Sequence, residues 1–349
     1  YTQSPRYAKD RTFFLEQYKT CSEITYLSEK QSDSYTAIRR TFFIETEKAA
    51  QIREYAKNRG TSPFVLFLTA FSIYFSRVKM NVEQFYIGTP ILNRGNFKEK
   101  NTMGMFINTV PILAHVDYER SFLENLAYMQ SEAFSVIRHQ KFHYSDVLSA
   151  IRQEFNSTET LYDVLISYQN ATVTGTNQDV ETTWYHNGAQ TESLQIHIDD
   201  RDSKGFFRIQ CDYRQDKLTE QDVQKIYEHT LNLFFDAITH DEKRPGELVL
   251  LSPDEKQQLL YGFNNTAEDY PKDKCVHTLF EEQAARTPDK TAVVACDQTL
   301  TYRELNEHAN RIAHGLVEQG VKPGDIVAFM LSRRSYLIAA MFGILKTGA

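Results

Sequence analysis

The sequence predicts an α/β protein made of two folded units. Segments with the periodicity of helices alternate along the chain with short segments of strand character, which is typical of layered α/β architectures. The length of 349 residues also exceeds the usual size of one domain. A stretch rich in proline and charge interrupts the pattern at 240–274. We therefore place the first unit at 1–239, a linker at 240–274 and the second unit at 275–349.

The helices are predicted from apolar residues spaced three or four apart and from residues that cap helix ends. Ser121 and Glu124 have the spacing of a capping box, Thr219 is a second N-cap, and Thr301 begins another capping box. Ser62 precedes a helix that is apolar almost all round, so we expect that helix to be central. The predicted helices are 9–20, 47–59, 64–78, 121–137, 145–155, 219–238, 277–286, 301–319 and 335–346, with a short helical piece at 252–260.

The strands are predicted from apolar runs and from alternation of apolar with polar residues. They are 37–44, 85–92, 106–116, 162–169, 194–199, 207–213, 291–295 and 325–331. We expect polar loops at 22–34 and 93–102 and a hairpin turn at 202–205. His197 falls on the polar phase of its strand. It could face a cleft, but we expect it to be a solvated strand residue.

Composition excludes several classes of function. The formal net charge of −7 is spread along the chain without a basic stripe, so we expect no nucleic-acid partner. Four dispersed cysteines form no metal-binding spacing, and no apolar run is long enough for a membrane helix. We therefore expect a cytoplasmic protein with free thiols, no metal and no membrane partner. The chain begins without Met and stops just after a helical pattern, so we expect a piece of a longer protein.

Three short segments combine residue types that form tight turns or polar sites. The first, IGTPILNR, contains Gly88, Pro90 and Asn93 before Arg94, and a rigid turn there can direct the Arg toward a carboxylate. Without the other segments, this one is more typical of the end of a strand followed by an exposed Arg.

The second segment, MGMFINTVP, contains Gly104 and Asn108, and glycine there can mark a close approach of the backbone to a ligand. Without the other segments, this one is more typical of an ordinary strand that contacts no ligand. The third segment, RHQKFHY, contains His139, Gln140 and His143, and the two histidines are expected to lie at a helix end and in a loop.

In this order and spacing, the three segments resemble the later motifs of condensation domains from non-ribosomal peptide synthetases: (I/V)GxP…R, MGxFxNTVP and RHQxxPY/F. His143 stands where that pattern has Pro. The resemblance covers about 1–238 and implies the C-terminal lobe of a fold related to chloramphenicol acetyltransferase, a mixed sheet with helices. It also implies that the N-terminal lobe lies outside this chain.

The resemblance assigns roles to residues of the three segments. Arg94 matches the family arginine that braces the HHxxxDG catalytic loop by pairing with its Asp, and no adjacent pair of histidines occurs in this sequence. The second His of that signature orients or deprotonates the acceptor amine. The remaining motif or substrate-channel positions are Gly88, Pro90, Asn93, Gly104, Asn108, His139 and Gln140. The segment WYHNG at 184–188, with SLQIHIDDRD after it, is similar to initiating condensation domains of lipopeptide synthetases.

The second unit resembles the start of an adenylation domain. LTYREL at 300–305 and GILKTGA at 343–349 match its first motifs, after HTLFEEQAARTPDKTAVV. The complete domain would use ATP and Mg²⁺ to form an aminoacyl adenylate, whereas its phosphate loop and catalytic Lys would lie beyond this chain.

The resemblance implies part of a modular synthetase that joins carrier-bound acyl or peptidyl and aminoacyl thioesters. The expected partners are carrier domains bearing 4'-phosphopantetheine, the missing condensation lobe and the rest of the adenylation domain, in a monomeric assembly. Two alternatives stay open: a non-catalytic scaffold that docks carrier domains, and an epimerisation domain of the same fold. By itself the chain is expected to be inactive.

Overall fold

The computed structural model describes residues 1–22, 24–30, 32–157, 159–170, 184–201 and 205–349. These residues form two compact units, Tyr1–Gly262 and Phe263–Ala349. The boundary between the units falls inside the stretch predicted as a linker. Most of the predicted hairpin turn at 202–205 lies outside the described residues.

The first unit combines eight helices with six strands among its described residues. The helices are α1 (Pro5–Thr20), α2 (Thr46–Asn58), α3 (Pro63–Val78), α4 (Phe97–Lys100), α5 (Phe122–Arg138), α6 (Tyr144–Phe155), α7 (Glu220–Thr239) and α8 (Pro253–Gln257), the last continuing as a π-helical turn, Gln258–Gly262. The strands are β1 (Ala37–Ile44), β2 (Gln84–Ile91), β3 (Asn108–His115), β4 (Val164–Gln169), β5 (Leu194–Asp199) and β6 (Phe207–Arg214).

All six strands join one mixed sheet in the order β1-β6-β5-β4-β2-β3. The pairs β2–β4 and β4–β5 are parallel and the others are antiparallel, which confirms the predicted mixed sheet with helices. One face of the sheet carries large apolar side chains that are buried against helices. On that face the ring centroid of Phe67 in α3 lies 5.5 Å from that of Phe207 in β6 and 5.0 Å from that of Phe234 in α7.

Helix α3 lies in the middle of this core, as predicted. Every residue from Val65 to Ser76 is buried, and the side chain of Ser62 accepts a hydrogen bond from the Val65 N–H. The buried hydroxyls of Thr69 and Ser72 donate to carbonyls one turn earlier, so they are satisfied inside the helix. No single helix in the described ranges is long and apolar enough to cross a membrane. Among the described helices, one pair, α2 and α3, has together the length and composition of a membrane span, but the two helices are bent by 102° relative to each other.

The opposite face of the sheet carries polar side chains on four adjacent strands. Arg39 on β1 is paired in register with Asp212 on β6, and Asp212 with Gln195 on β5. Two residues further along β5, on the same face, His197 lies beside Ser167 on β4. This polar face contains the candidate site.

The first part of the predicted linker is packed structure instead. The Phe122 N–H donates to the Lys243 carbonyl at 2.7 Å, and Leu248 is buried. Arg77 donates to the Leu248 carbonyl at 2.5 Å. The proline and charge content of 240–257 suggested a linker without tertiary contacts. Tertiary hydrogen bonds to Lys243 and Leu248, which local composition does not reveal, hold it against the first unit.

The second unit consists of α9 (Val276–Arg286), β7 (Thr291–Val294), β8 (Thr299–Thr301), α10 (Tyr302–Glu318) and α11 (Ser335–Lys346). Phe280, Leu300 and Leu305 are buried in its small core. Thr301 forms the predicted capping box of α10 with Glu304.

The predicted strand at 325–331 is wrong. These residues have no regular secondary structure, and Ile326 and Met330 are almost fully exposed. Apolar periodicity indicates which residues suit a strand, but a strand forms only where a neighbour pairs with its backbone. Among the described residues this segment has no such neighbour.

Candidate functional site

The first of the three sequence motifs leaves the sheet at the end of β2. Asn93 is buried and takes the left-handed backbone conformation, with φ of 51°, which Asn tolerates better than most residues. The loop that follows was predicted to lack helix, but it contains the short helix α4, capped by the side chain of Asn96. Lys141 of the third motif donates to the Asn93 carbonyl at 3.1 Å and pairs with Glu99 of α4 at 2.7 Å.

Arg94 closes the loop onto itself. Its guanidinium donates to the carbonyl oxygens of Thr102 and Gly104, each at 2.7 Å, and to that of Glu99. The guanidinium carbon lies 4.2 Å from the centroid of the Phe106 ring. Three of the five N–H donors of an arginine are thus used. In the described part of the chain no carboxylate pairs with Arg94, so two donors are left for another partner.

Asn108 joins the second motif to the third. It is buried at the start of β3, and its Nδ2 donates to the carbonyls of Gln140 and Phe142 at 3.0 and 3.2 Å. Its Oδ1 accepts from the Tyr144 N–H at 3.4 Å. The single carboxamide therefore satisfies three backbone groups of the turn between α5 and α6.

His139 lies at a helix end and His143 in the short loop before the next helix, as predicted. His139 is the C-cap residue of α5 and His143 the N-cap residue of α6. The ring of His139 stacks on Phe13 at a centroid distance of 4.0 Å, and its Nδ1 lies 2.7 Å from the buried carboxylate of Asp10. His139 thereby ties the end of α5 to α1.

The glycines of the first two motifs have different local roles. At Gly88 a Cβ would lie 2.5 Å from the Tyr162 ring. Any residue other than glycine at this strand position would therefore force that ring to move. Gly104 has φ of 145°, a conformation that favours glycine. Pro90 is paired in register with Thr109 of β3. Gly88 thus lies against a protein side chain, and Gly104 lies before β3 rather than in plain sheet.

A cavity of about 650 Å³ opens on the polar face beside these motifs. It is bounded by Thr109 and Tyr162 near the motifs and by Trp184, His197 and Asp212 on its far side. The other lining residues are Tyr35, Arg39, Leu165, Tyr185, His186, Asn187, Ala189, Gln190, Thr191, Glu192 and Gln195.

A chain of polar side chains crosses four strands beneath this cavity. The Ser167 hydroxyl and His197 Nδ1 are hydrogen-bonded at 2.7 Å, and His197 Nε2 lies 3.2 Å from Asp212 Oδ2. Arg39 makes a bidentate pair with Asp212 at 2.6 and 2.7 Å and donates to the Trp184 carbonyl at 2.6 Å. Burial acts to raise the pKa of Asp212, but the hydrogen bonds from Arg39 and His197 outweigh it and lower that pKa to about 2.

The expectation that His197 is a solvated strand histidine is wrong. Its side chain is 11% exposed and both ring nitrogens have partners. Both ring nitrogens are therefore held by protein side chains, and the ring is fixed within the polar chain.

Sequence analysis did not identify Arg39, Ser167 or Asp212 as site residues. A signal was present in β6, an interior strand of the sheet, where Arg208, Gln210 and Asp212 alternate with apolar residues. Charges on the second face of an interior strand indicate a face that is not packed as core. Their partners depend on strand order and register, which the sequence did not provide. In the described residues, no group of three or more His, Cys, Asp or Glu side chains could hold a metal ion.

Two family models match the chain in sequence. One, described as Condensation domain, matches residues 1–260, and one described as AMP-binding enzyme matches residues 280–349. A plipastatin synthase chain of Bacillus subtilis (strain 168) is 32% identical over all of this chain and 14% of its own length. Surfactin synthase subunit 1 of the same organism is 31% identical over all of this chain and 10% of its own length. The chain therefore spans a small part of the relatives that it matches.

Solved structures show the same fold. A four-domain nonribosomal peptide synthetase, holo-AB3403 bound to AMP and glycine, has a TM-score of 0.69 at 20% identity, over 97% of this chain and 27% of that one. The first condensation domain of the calcium-dependent antibiotic synthetase, in complex with a substrate analogue, has a TM-score of 0.60 at 14% identity, over 72% of this chain and 55% of that one.

Replacing Asn108 with Ala should loosen the connection between the second and third motifs. The change leaves two carbonyls and one N–H of the turn without their partner, so we expect the free energy of unfolding to fall by about 2–4 kcal/mol. Urea denaturation measures this loss. The matched change Asn101→Ala removes a side-chain hydrogen bond from an exposed residue and should cost less than about 0.5 kcal/mol. Equal losses in the two variants would contradict the role of Asn108.

The carboxylate of Asp212 should stabilise the first unit in a pH-dependent way. Its pKa is lower in the folded state, about 2, than the ordinary value of 3.8. Its contribution of roughly 2 kcal/mol is therefore present above pH 4 and is lost as the pH falls from about 4 to about 2.

The check is urea denaturation of the protein and of Asp212→Asn across that pH range. The difference in stability between the two should shrink as the solution becomes more acidic. Asp33→Asn changes an exposed loop carboxylate and serves as the control. A difference that stays constant down to pH 2 would show that the charge on Asp212 does not stabilise the fold.

Proposed function

Since the chain belongs to the Condensation domain family and continues into the start of an AMP-binding domain, we propose that it is part of a modular nonribosomal peptide synthetase. The reaction is amide-bond formation between a carrier-bound acyl or peptidyl thioester and the amine of a carrier-bound aminoacyl thioester. The adenylation domain that follows activates the amino acid. The order of the two regions supports this proposal, because the alignment with the plipastatin synthase runs through both.

The observation that carries the proposal is the convergence of the three motifs. Lys141 bonds to Asn93, Arg94 to Gly104 and Asn108 to Gln140, so segments that are separate in sequence form one hydrogen-bonded unit. The unit adjoins the cavity through Thr109, the neighbour of Asn108. A shared position beside one cavity explains why these residue types occur together.

We assign Arg94 the role of bracing the catalytic loop of the partner lobe. Its contacts with three carbonyls fix the guanidinium plane, while two N–H groups stay available. A planar guanidinium held in this way suits a carboxylate, such as the Asp of an HHxxxDG signature. Because that signature does not occur in this sequence, the loop would come from another segment of the synthetase.

The amine-activating histidine would come from the same segment. His197 has both ring nitrogens engaged, so the residues of the cavity would hold substrate while the partner lobe orients the attacking amine. Substrates would arrive on 4'-phosphopantetheine arms of carrier domains. The complete adenylation domain would use ATP with Mg²⁺.

The remaining assignments stay predictions. They are a cytoplasmic location, a monomeric assembly and an initiating type of condensation domain. The last rests on the segment at 184–188, which forms part of the cavity wall.

Replacing Arg94 with Ala in the full synthetase should slow condensation without unfolding the protein. Misplacing the catalytic loop acts on the chemical step, so we expect kcat to fall by about 10- to 100-fold, with a smaller change in KM. Product formation from carrier-loaded substrates measures this. Lys in place of Arg94 should restore only part of the rate, because an ammonium cannot reproduce the planar set of donors.

The matched control is Arg152→Ala, which changes an exposed arginine of α6. It should condense at the normal rate. A folded Arg94→Ala synthetase with unchanged kcat would rule out the assigned role.

A further inference from the structure

A row of paired residues crosses the polar face of the sheet, and one place in that row has no side chain. Asp212 on β6 is paired with Gln195 on β5, and Gln195 with Leu165 on β4. Leu165 is paired in turn with Gly88 on β2. Paired residues point to the same face of a sheet, so Gly88 leaves a gap in the polar face between β4 and β3.

The ring of Tyr162 fills this gap. A Cβ at Gly88 would lie 2.5 Å from one carbon of that ring and 2.7 Å from two others, so the ring rests directly on the glycine. Leu165 on β4 and Thr109 on β3 line the cavity, whereas Gly88 on the strand between them is buried. Tyr162 lines the cavity as well, and it therefore forms the cavity floor above β2.

Contacts on both sides of Tyr162 hold its ring in this position. The Tyr144 ring lies against it at a centroid distance of 4.9 Å, and the Tyr144 hydroxyl oxygen accepts from the Leu161 N–H at 2.9 Å. The buried carboxylate of Asp163 accepts from the N–H and the hydroxyl of Ser193 at 3.1 and 2.9 Å. The backbone is thus fixed directly before and after Tyr162. Because Tyr162 is only 6% exposed, its ring has little room to move aside for a substrate.

The floor differs in chemistry from the part of the cavity above β5 and β6. There the lining residues Gln195, His197 and Asp212 are polar, and each is bonded to another protein side chain. At the floor, Tyr162 and Leu165 contribute aromatic and aliphatic carbons. A group that reaches the floor therefore gains affinity by burying apolar surface.

We propose that Tyr162 sets the size of the apolar group that the cavity accepts, with Gly88 as the seat of its ring. This inference rests on the proposed function, because the group belongs to a thioester substrate. It is either the acyl chain of the donor or the side chain of the aminoacyl acceptor. A smaller residue at position 162 uncovers Gly88 and deepens the cavity, so larger groups fit.

The main test is the size preference of Tyr162→Leu in the full synthetase. One series pairs carrier-bound acetyl, butyryl, hexanoyl and octanoyl donors with one acceptor, and a second pairs glycyl, alanyl, norvalyl and leucyl acceptors with one donor. All groups are loaded as phosphopantetheine thioesters, so the adenylation domain does not select them. In one series we expect kcat/KM of the largest member relative to the smallest to rise about tenfold, since each buried methylene contributes about fourfold.

Matched variants separate size from other effects. Tyr162→Phe keeps the ring, so its size preference should stay that of the natural synthetase whatever its rate. Tyr270→Leu makes the same chemical change at a residue that is 68% exposed, and it should alter neither rate nor preference. If Tyr162→Leu does not fold, Tyr162→Met takes its place, because Met retains more of the buried volume, and the expected direction is the same.

Thermal unfolding of the 349-residue chain tests the seat on Gly88. The fluorescence of Trp184, the single tryptophan, reports on the first unit. Gly88→Ala places a methyl group against the ring and should lower the midpoint by roughly 3–8 °C. In the Tyr162→Leu background the same change should cost less than half as much, because the ring is gone. Equal losses in the two backgrounds would show that the ring does not rest on Gly88 and would contradict the proposal.

The two substrate series also identify the group. A change in the donor series alone assigns it to the acyl chain, and a change in the acceptor series alone assigns it to the amino-acid side chain. No change in either series, equal changes in both, or the same change in Tyr162→Phe overturns the proposal. If the natural synthetase condenses and Tyr162→Leu keeps its size preference, only the role of Tyr162 is lost. If the natural synthetase forms no amide with any pair, the proposed function fails, and this inference fails with it.

Discussion

The carboxamide of Asn108 is the interaction on which the arrangement of the motifs depends. It lies at the start of β3 and satisfies two carbonyls and one N–H of the turn between α5 and α6. The backbone groups of this partly buried turn need partners, and one side chain supplies three of them. Because Arg94 and Lys141 add bonds within the same cluster, the loop that carries Arg94 has a defined position relative to the sheet.

A second constraint, the Arg39–Asp212 pair, sets the wall of the cavity. The pair lies on the face of the sheet opposite to the apolar core, and Ser167 and His197 extend it across neighbouring strands. Each of these polar groups has a partner, which makes such a face tolerable despite its burial.

The sequence predicted most helices and strands because their signals are local. The capping box at Ser121 and the apolar surface of α3 decide those elements without help from distant residues. The prediction of a strand at 325–331 was wrong because periodicity does not show which segment, if any, will pair with a strand. Arg39, Ser167 and Asp212 were missed for the same reason: their meeting depends on the strand order β1-β6-β5-β4, which brings together residues far apart in the chain. The motif residues could be named through resemblance, but the bond from Arg94 to its own loop required the structure.

The most direct test of the role of Arg94 is a double-mutant cycle in the intact synthetase between Arg94 and the Asp of its HHxxxDG loop. Each residue is replaced by Ala singly and together, and kcat/KM for condensation is measured for all four proteins. The proposed pairing of the two charges predicts a coupling of about 1.5–3 kcal/mol. Effects that add to within about 0.5 kcal/mol would contradict this role, since residues that do not interact behave independently.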